Sequence, residues 1–367
     1  MKKIISILIV LCIIINLPIA FAENKTTNKH QELPARFSWR DVNGVDFTTS
    51  VKDQRPAPTC EAYAFVAALD TLVQYQVGYP FECDLSEAHL FFYSGGTAEW
   101  GVNFTYAADY LVNHGVPDEG CFPDPHRPFD FQYESIPGWQ NRTVKITSWG
   151  WVENNIVAIK QALIDYGPLT VCILTRNDFF RYNGGIYTPH GTVQGGHVVT
   201  ITGYDDIHRC IEIKNTGGDD WGEDGYIRVS YDADTPEHPF IWPFYGGTGI
   251  IYIDGVYGNF MPDVPRIQIE KPNIFCTYIF GRQIKTLFKN IPIQAAAPRI
   301  FGRMLLETQT SNTDYVEFYV DEELVHVDDQ EPFEWQIDAS FGLHTIETYA
   351  YNSDYLSKDI VDVFVFF

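Results

Sequence analysis

Cys60 is the residue best placed to act as a nucleophile. It directly precedes Glu61–Gln76, where Ala62, Phe65, Val66, Leu69, Leu72 and Val73 recur at helical spacing. A thiol at the start of a helix feels the positive end of the helix and its free amides, which favour the thiolate. A thiolate can attack a carbonyl carbon if a proton carrier stands beside it. His197 follows Cys60 by 137 residues, within Gly195-Gly196-His197-Val198-Val199. Asn215 follows His197 by 18 residues and closes Ile211-Glu212-Ile213-Lys214-Asn215. Gln54 precedes Cys60 by six. Most lone cysteines are inert core residues, and a lone histidine is commonly a hydrogen-bonded core residue. The order and spacing of the four carry the argument.

That set resembles the papain family of cysteine proteases. Leu33-Pro34-Ala35-Arg36-Phe37-Ser38-Trp39-Arg40 is similar to the family's mature start, and Val51-Lys52-Asp53-Gln54 to the stretch holding its glutamine. Leu85-Ser86-Glu87, Tyr182-Asn183-Gly184-Gly185-Ile186-Tyr187 and Asp220-Trp221-Gly222-Glu223-Asp224-Gly225-Tyr226 resemble further family elements in the right order. The resemblance spans about residues 33–258. It implies an α+β, two-lobed fold with a helical lobe and a β-barrel lobe. It also implies cysteine endopeptidase activity without cofactor or metal.

By the same resemblance, Cys60 attacks the scissile carbonyl. His197 holds the thiolate as an ion pair and protonates the leaving amine, and Asn215 orients the imidazole. The Gln54 amide and the Cys60 backbone N–H receive the oxyanion. Phe104, Cys172, Gly195 and Val198 would line an apolar pocket for the side chain before the scissile position's own. Trp221 would pack near the site.

The departures concentrate around the nucleophile. Ala57-Pro58-Thr59-Cys60-Glu61 replaces the family's Cys-Gly-Ser-Cys-Trp, and Glu99 stands where that first cysteine's partner belongs. One disulfide is therefore lost at both ends. Gly217 replaces a tryptophan two residues past Asn215. Glu61 has two readings. It complements the helix end, or it raises the pKa values of both thiol and imidazole and moves the active window to higher pH. Two other functions stay open. One is a catalytically impaired papain-like binding or adhesion protein; the other is an acyl-transfer enzyme using the same Cys–His logic.

The elements that must position these residues divide the chain. Helices are expected at Glu61–Gln76, Ser86–Phe92 and Thr105–Asn113. Strands are expected at Leu169–Leu174, His197–Tyr204, Cys210–Lys214, Tyr226–Ser230 and Gly249–Ile253. The peptidase domain is thus placed at 33–258, with a linker at 259–265. Residues 266–367 read as all-β, with Val316, Phe318 and Val320 alternating in one strand and Val361, Val363, Val365 and Phe367 in another. Val316–Asp321 and Gly342–Tyr351 resemble bacterial Ig-like domains, which implies a sandwich and leaves room for a cell-surface or polymer ligand.

The 367 residues are 45% apolar, 20% charged and 15% aromatic, which excludes a disordered chain. A net charge of −23 argues against nucleic acid and anionic lipid as partners. The expected partners are protein or peptide substrates, and the expected state is a monomer. Lys2-Lys3, the apolar run Ile4–Leu17 and Ala20-Phe21-Ala22 have the pattern of a signal peptide ending at residue 22. A membrane anchor is the rival reading. The expected location is extracellular or at the cell surface. Only residues 23–32 separate this segment from the family-like start, so latency through an N-terminal helical domain is not expected. Of the six remaining cysteines, Cys83 and Cys121, both near loop segments of the helical half, are the expected disulfide.

Overall fold

The computed structural model describes residues 32–366 apart from 82, 98–99, 125–134, 237–238, 244–246, 260–262, 275 and 286–296. The signal-like segment, Glu99, Phe367 and three positions of the expected linker lie outside these residues.

Four α-helices precede or flank the main sheet: α1 (Cys60–Val77), α2 (Glu87–Tyr93), α3 (Phe104–Asn113) and α4 (Ile156–Asp165). Helix α1 buries Ala62, Ala64, Phe65, Val66, Ala68, Leu69 and Val73, so it runs through the interior of its lobe. It stops at Gly78, whose left-handed backbone (φ +90°) lets its N–H reach the Gln74 carbonyl at 2.9 Å. The Ser86 hydroxyl caps α2 by accepting from the His89 N–H at 3.0 Å. Asn103 caps α3 and Asn155 caps α4 in the same way. Helix α4 is additional to the helices expected. Its Ile159, Ala162 and Leu163 pack it on the strand side.

The eight-stranded sheet runs Ser148–Trp151, Ile250–Asp254, Leu169–Arg176, Val193–Asp205, Cys210–Lys214, Tyr226–Ser230 and Ile186–Tyr187, with Arg36–Ser38 also on Val193–Asp205. Register sets Cys172 opposite Val198, and Ile173 opposite His197. Two cores result. One gathers around α1–α3; the other lies under the sheet and includes Ile173, Val199, Ile201, Ile213 and Ile227.

Beyond Arg266 the described chain is all strand. Arg266–Lys271, Met304–Ser311 and Glu334–Ile337 form one sheet, and seven strands form the other. Leu306, Trp335 and Ile337 from the first meet Val316, Phe318, Ile346, Val361 and Val363 from the second in one core. The period-two alternation of these strands is the direct cause: every second residue faces inward.

This all-β part is fastened to the helical lobe. Arg142, 5% exposed, is paired with Asp118 and donates to the Leu356 carbonyl at 2.5 Å and to Ser357 Oγ at 3.0 Å. Ile360 packs with Ala88 and Phe122. The stretch expected as a linker is held on both sides. Asn259 Nδ2 donates to the Asn141 carbonyl at 2.6 Å, and Asn352 Nδ2 donates to the Asp263 carbonyl at 3.0 Å. From Pro34 onward the chain is one compact unit.

The expected Cys83–Cys121 disulfide is corrected. All six cysteines from Cys60 to Cys276 are free thiols. Cys121 Sγ donates to Asp118 Oδ2 at 3.6 Å, and Cys83 turns to Asp70, so neither sulfur faces the other. Burial pushes both thiols upward.

Candidate active site

Four segments bring the expected residues together. Cys60 is the first residue of α1. His197 lies on the long strand Val193–Asp205, and Asn215 directly follows its neighbour Cys210–Lys214. Gln54 sits in the loop before α1.

His197 Nε2 lies 2.9 Å from Asn215 Oδ1. An oxygen there can only accept, so Nε2 carries the proton and Nδ1 remains the basic nitrogen. The Asn215 N–H donates to the Gly225 carbonyl at 3.0 Å, which fixes the asparagine by its own backbone. Phe179 presents its ring to the imidazole, with centroids 6.1 Å apart at 71°. The Trp221 ring lies tilted against Phe179, with centroids 4.8 Å apart at 36°.

The loop bearing Gln54 is stitched to the Asn215 segment. The Gln54 N–H donates to the Thr216 carbonyl at 2.9 Å, and the Gly218 N–H to the Lys52 carbonyl at 3.1 Å. Gln54 Nε2 donates to the Ala57 carbonyl at 2.9 Å, while its Oε1 accepts from the Thr216 hydroxyl. One amide hydrogen of Gln54 is thus spent on Ala57. Behind the loop, Lys52 donates to Glu87 Oε2 at 2.9 Å and pairs with Asp84 at 2.6 Å. Burial pulls the Lys52 ammonium down, but Asp84 and Glu87 outweigh it and hold its pKa above the ordinary value.

The Cys60 thiol donates to Glu61 Oε2 at 3.4 Å. Burial raises the thiol pKa first and the Glu61 charge raises it further, against a lowering by the Val198 backbone. Burial lowers His197 below its ordinary value, with Asn215 opposing. Both directions disfavour charge. For the histidine this differs from the rise expected beside Glu61. Desolvation dominates the imidazole.

Glu61 is itself pushed up to about 7 by burial, although the Cys60 thiol and the backbone at Val102 favour its charged form. Its carboxyl is wedged against Gly101. A Cβ added there would stand 2.9 Å from Oε1 and 3.0 Å from Oε2.

The four residues expected to line an apolar pocket fall into two groups. Phe104, Cys172 and Val198 are 1%, 4% and 3% exposed and belong to the core around α1. Gly195 is half-buried and faces open space. Neighbouring Gly196 lies under the Trp242 ring, which a Cβ would strike. Cys172 lies close enough to Glu61 for that charge to raise its thiol, after burial, to about 12. Phe104, Cys172 and Val198 are therefore core residues, and the charged group that acts on Cys172 is Glu61. Among the described residues no group of three or more His, Cys, Asp or Glu could hold a metal ion.

Phe179, Thr216 and Gly101 were not anticipated. Thr216 could have been read as a hydroxyl adjoining Asn215. Phe179 and Gly101 carry no local signal, because long-range packing brings them to the site.

A papain family cysteine protease model matches residues 33–238. Mexicain from Jacaratia mexicana is 30% identical over 199 residues, covering 53% of this chain and 88% of mexicain. Fruit bromelain from Ananas comosus is 27% identical over 203 residues, covering 54% of this chain and 55% of that protein. Cathepsin B-like CP2 from Giardia intestinalis is 44% identical over 79 residues, 20% of this chain and 26% of that protein. The chain spans about half the length of fruit bromelain. The structure of Ananas comosus bromelain with the E64 inhibitor aligns with a TM-score of 0.49 at 24% identity, covering 60% of this chain and 99% of the other.

Proposed function

Since the chain belongs to the papain family of cysteine proteases, we propose that it is an exported cysteine endopeptidase acting through Cys60, His197, Asn215 and Gln54. The observation that carries this reading is the contact of His197 Nε2 with Asn215 Oδ1, on a strand whose next residue, Val198, acts on Cys60 through its backbone. His197 Nδ1 takes the thiol proton as Sγ bonds to the peptide carbonyl carbon. The carbonyl electrons move to oxygen, which the Gln54 amide and the Cys60 N–H receive. Collapse breaks the C–N bond, and His197 gives its proton to the leaving amine. Water, deprotonated by His197, then cleaves the thioester and restores Sγ.

Phe104, Cys172 and Val198 serve as the floor of the acyl-side pocket, and Gly195 and Gly196 keep its rim low. Export draws support from the signal-like N-terminus. The β-part, taken as an Ig-like sandwich over 266–367, draws support from its two sheets over one core.

A second reading, a catalytically impaired binding protein, draws on the thiol's bond to Glu61. Wild type should hydrolyse fluorogenic peptides and be labelled at Cys60 by an epoxysuccinyl probe. Cys60→Ala should lose both with an unchanged circular dichroism spectrum. Undiminished hydrolysis in Cys60→Ala would overturn the assignment. Wild type that is neither labelled nor active would favour the second reading.

A further inference from the structure

Glu61 occupies an unusual position for an acid. It touches the nucleophile's sulfur at 3.4 Å, abuts the backbone of Gly101, and stands near the buried Cys172. Among the described residues it makes no ion pair with Lys, Arg or His. A carboxylate partly removed from water is costly unless a cation meets it. Among the described residues, the groups facing it from α1, from the strand of Cys172 and from the loop of Gly101 and Val102 are two thiols and backbone. These residues thus supply a carboxylate beside the nucleophile and no counter-charge.

We propose that Glu61 is a specificity residue that receives a cationic group of the substrate beside the reacting thiol. Two sources share that chemistry: a lysine or arginine side chain near the scissile bond, and the free amino terminus of a peptide. Pairing with the cation withdraws the carboxylate from Cys60 Sγ, and the thiol is then free to turn to His197. Substrate charge is in this way coupled to release of the nucleophile. The Trp242 ring over Gly196 adds an aromatic face on the side of the strand that Val198 shares, and such a face also favours a cation. This inference refines the protease reading but has its own readout.

The test measures modification of Cys60 in the full chain by 2-aminoethyl methanethiosulfonate, which is cationic, and by methyl methanethiosulfonate, which is neutral. In each case Sγ displaces methanesulfinate and forms a mixed disulfide. Mass spectrometry follows Cys60 separately from the partly exposed Cys276. The cationic-to-neutral rate ratio at pH 8 should be about tenfold higher in wild type than in Glu61→Gln. In wild type it should fall as pH is lowered through about 7, where the carboxylate takes up its proton. Equal ratios in wild type and Glu61→Gln would overturn the proposal, whether or not the protein cleaves peptides. If the ratio changes and no peptide is cut, the cation site stands and the protease reading falls. Acetylated arginine and lysine peptides, compared with unblocked neutral ones, then assign the cation to a side chain or to the amino terminus.

Discussion

The hydroxyl of Thr216, one residue past Asn215, donates to Oε1 of Gln54. The segment that holds the His197 imidazole therefore also holds the Gln54 amide, the proposed oxyanion donor. Thr216→Val removes the donor at nearly constant volume. It should lower kcat by about tenfold with little change in KM, because the amide matters most once the oxyanion forms. Gln54→Ala should cost roughly 10²–10³ in kcat. Steady-state kinetics on one fluorogenic peptide checks both, and a rise in KM alone in Thr216→Val would remove Gln54 positioning as its role.

Glu61 also governs the pH profile. Its charge raises the Cys60 thiol, whereas burial sets His197 low and Glu61 is not among the causes. In Glu61→Gln the alkaline limb of kcat/KM, where the raised thiol ionises, should move to lower pH, and the imidazole limb should stay. The shift of the alkaline limb should be about one pH unit and should shrink with added salt. Superimposable profiles would reduce Glu61 to its place at the start of α1.

Folding stability should depend on the same carboxyl. Its folded pKa, about 7, lies above the ordinary 4.5 because burial disfavours the charge. A raised pKa gives a contribution that is full below about 4.5 and is lost as pH rises through about 7. Urea unfolding of wild type should therefore weaken between pH 4.5 and pH 8 by on the order of 2 kcal/mol more than in Glu61→Gln. Parallel pH dependences for the two proteins would show that the carboxyl is solvated.

Arg142 joins the two parts of the chain through Asp118, Leu356 and Ser357. Arg142→Leu strands the Asp118 carboxylate and two acceptors of the β-part. It should cost about 3 kcal/mol in urea unfolding. Arg142→Leu with Asp118→Leu should recover much of that loss, since no charge is then left alone. A double variant as weak as the single one would mean that packing at the joint outweighs charge.

The sequence was most informative where a signal is local. The helical spacing from Ala62 to Val73 marked α1, and Ser86 marked the start of α2. The alternation at Val316 and Phe318 marked a strand with one face buried. Cys60, His197, Asn215 and Gln54 were picked out by order, spacing and the family resemblance, and His197 does lie against Asn215. What escaped depends on distant segments. Phe179 reaches His197 only after the sheet has formed. The buried state of Phe104, Cys172 and Val198 follows from α1 packing against the strand of His197. Desolvation of the imidazole and of Glu61 has no signature in a list of residues. Glu61 itself was visible as a substitution, but the direction of its carboxyl was not. The cysteines misled because position near loops does not fix where a sulfur points.

The fastening of the β-part bears on how the proposed protease would wear out. It would meet its own kind at high local concentration, and the backbone between Asn259 and Asp263 is the covalent link between its two parts. Asn259 and Asp263 are each tied to a different part, and the joint at Arg142 and Ile360 owes nothing to chain continuity. A molecule nicked there would stay whole in shape and in placement of its β-part, and damage that severs a tethered module in a beads-on-a-string protein would leave this one in service.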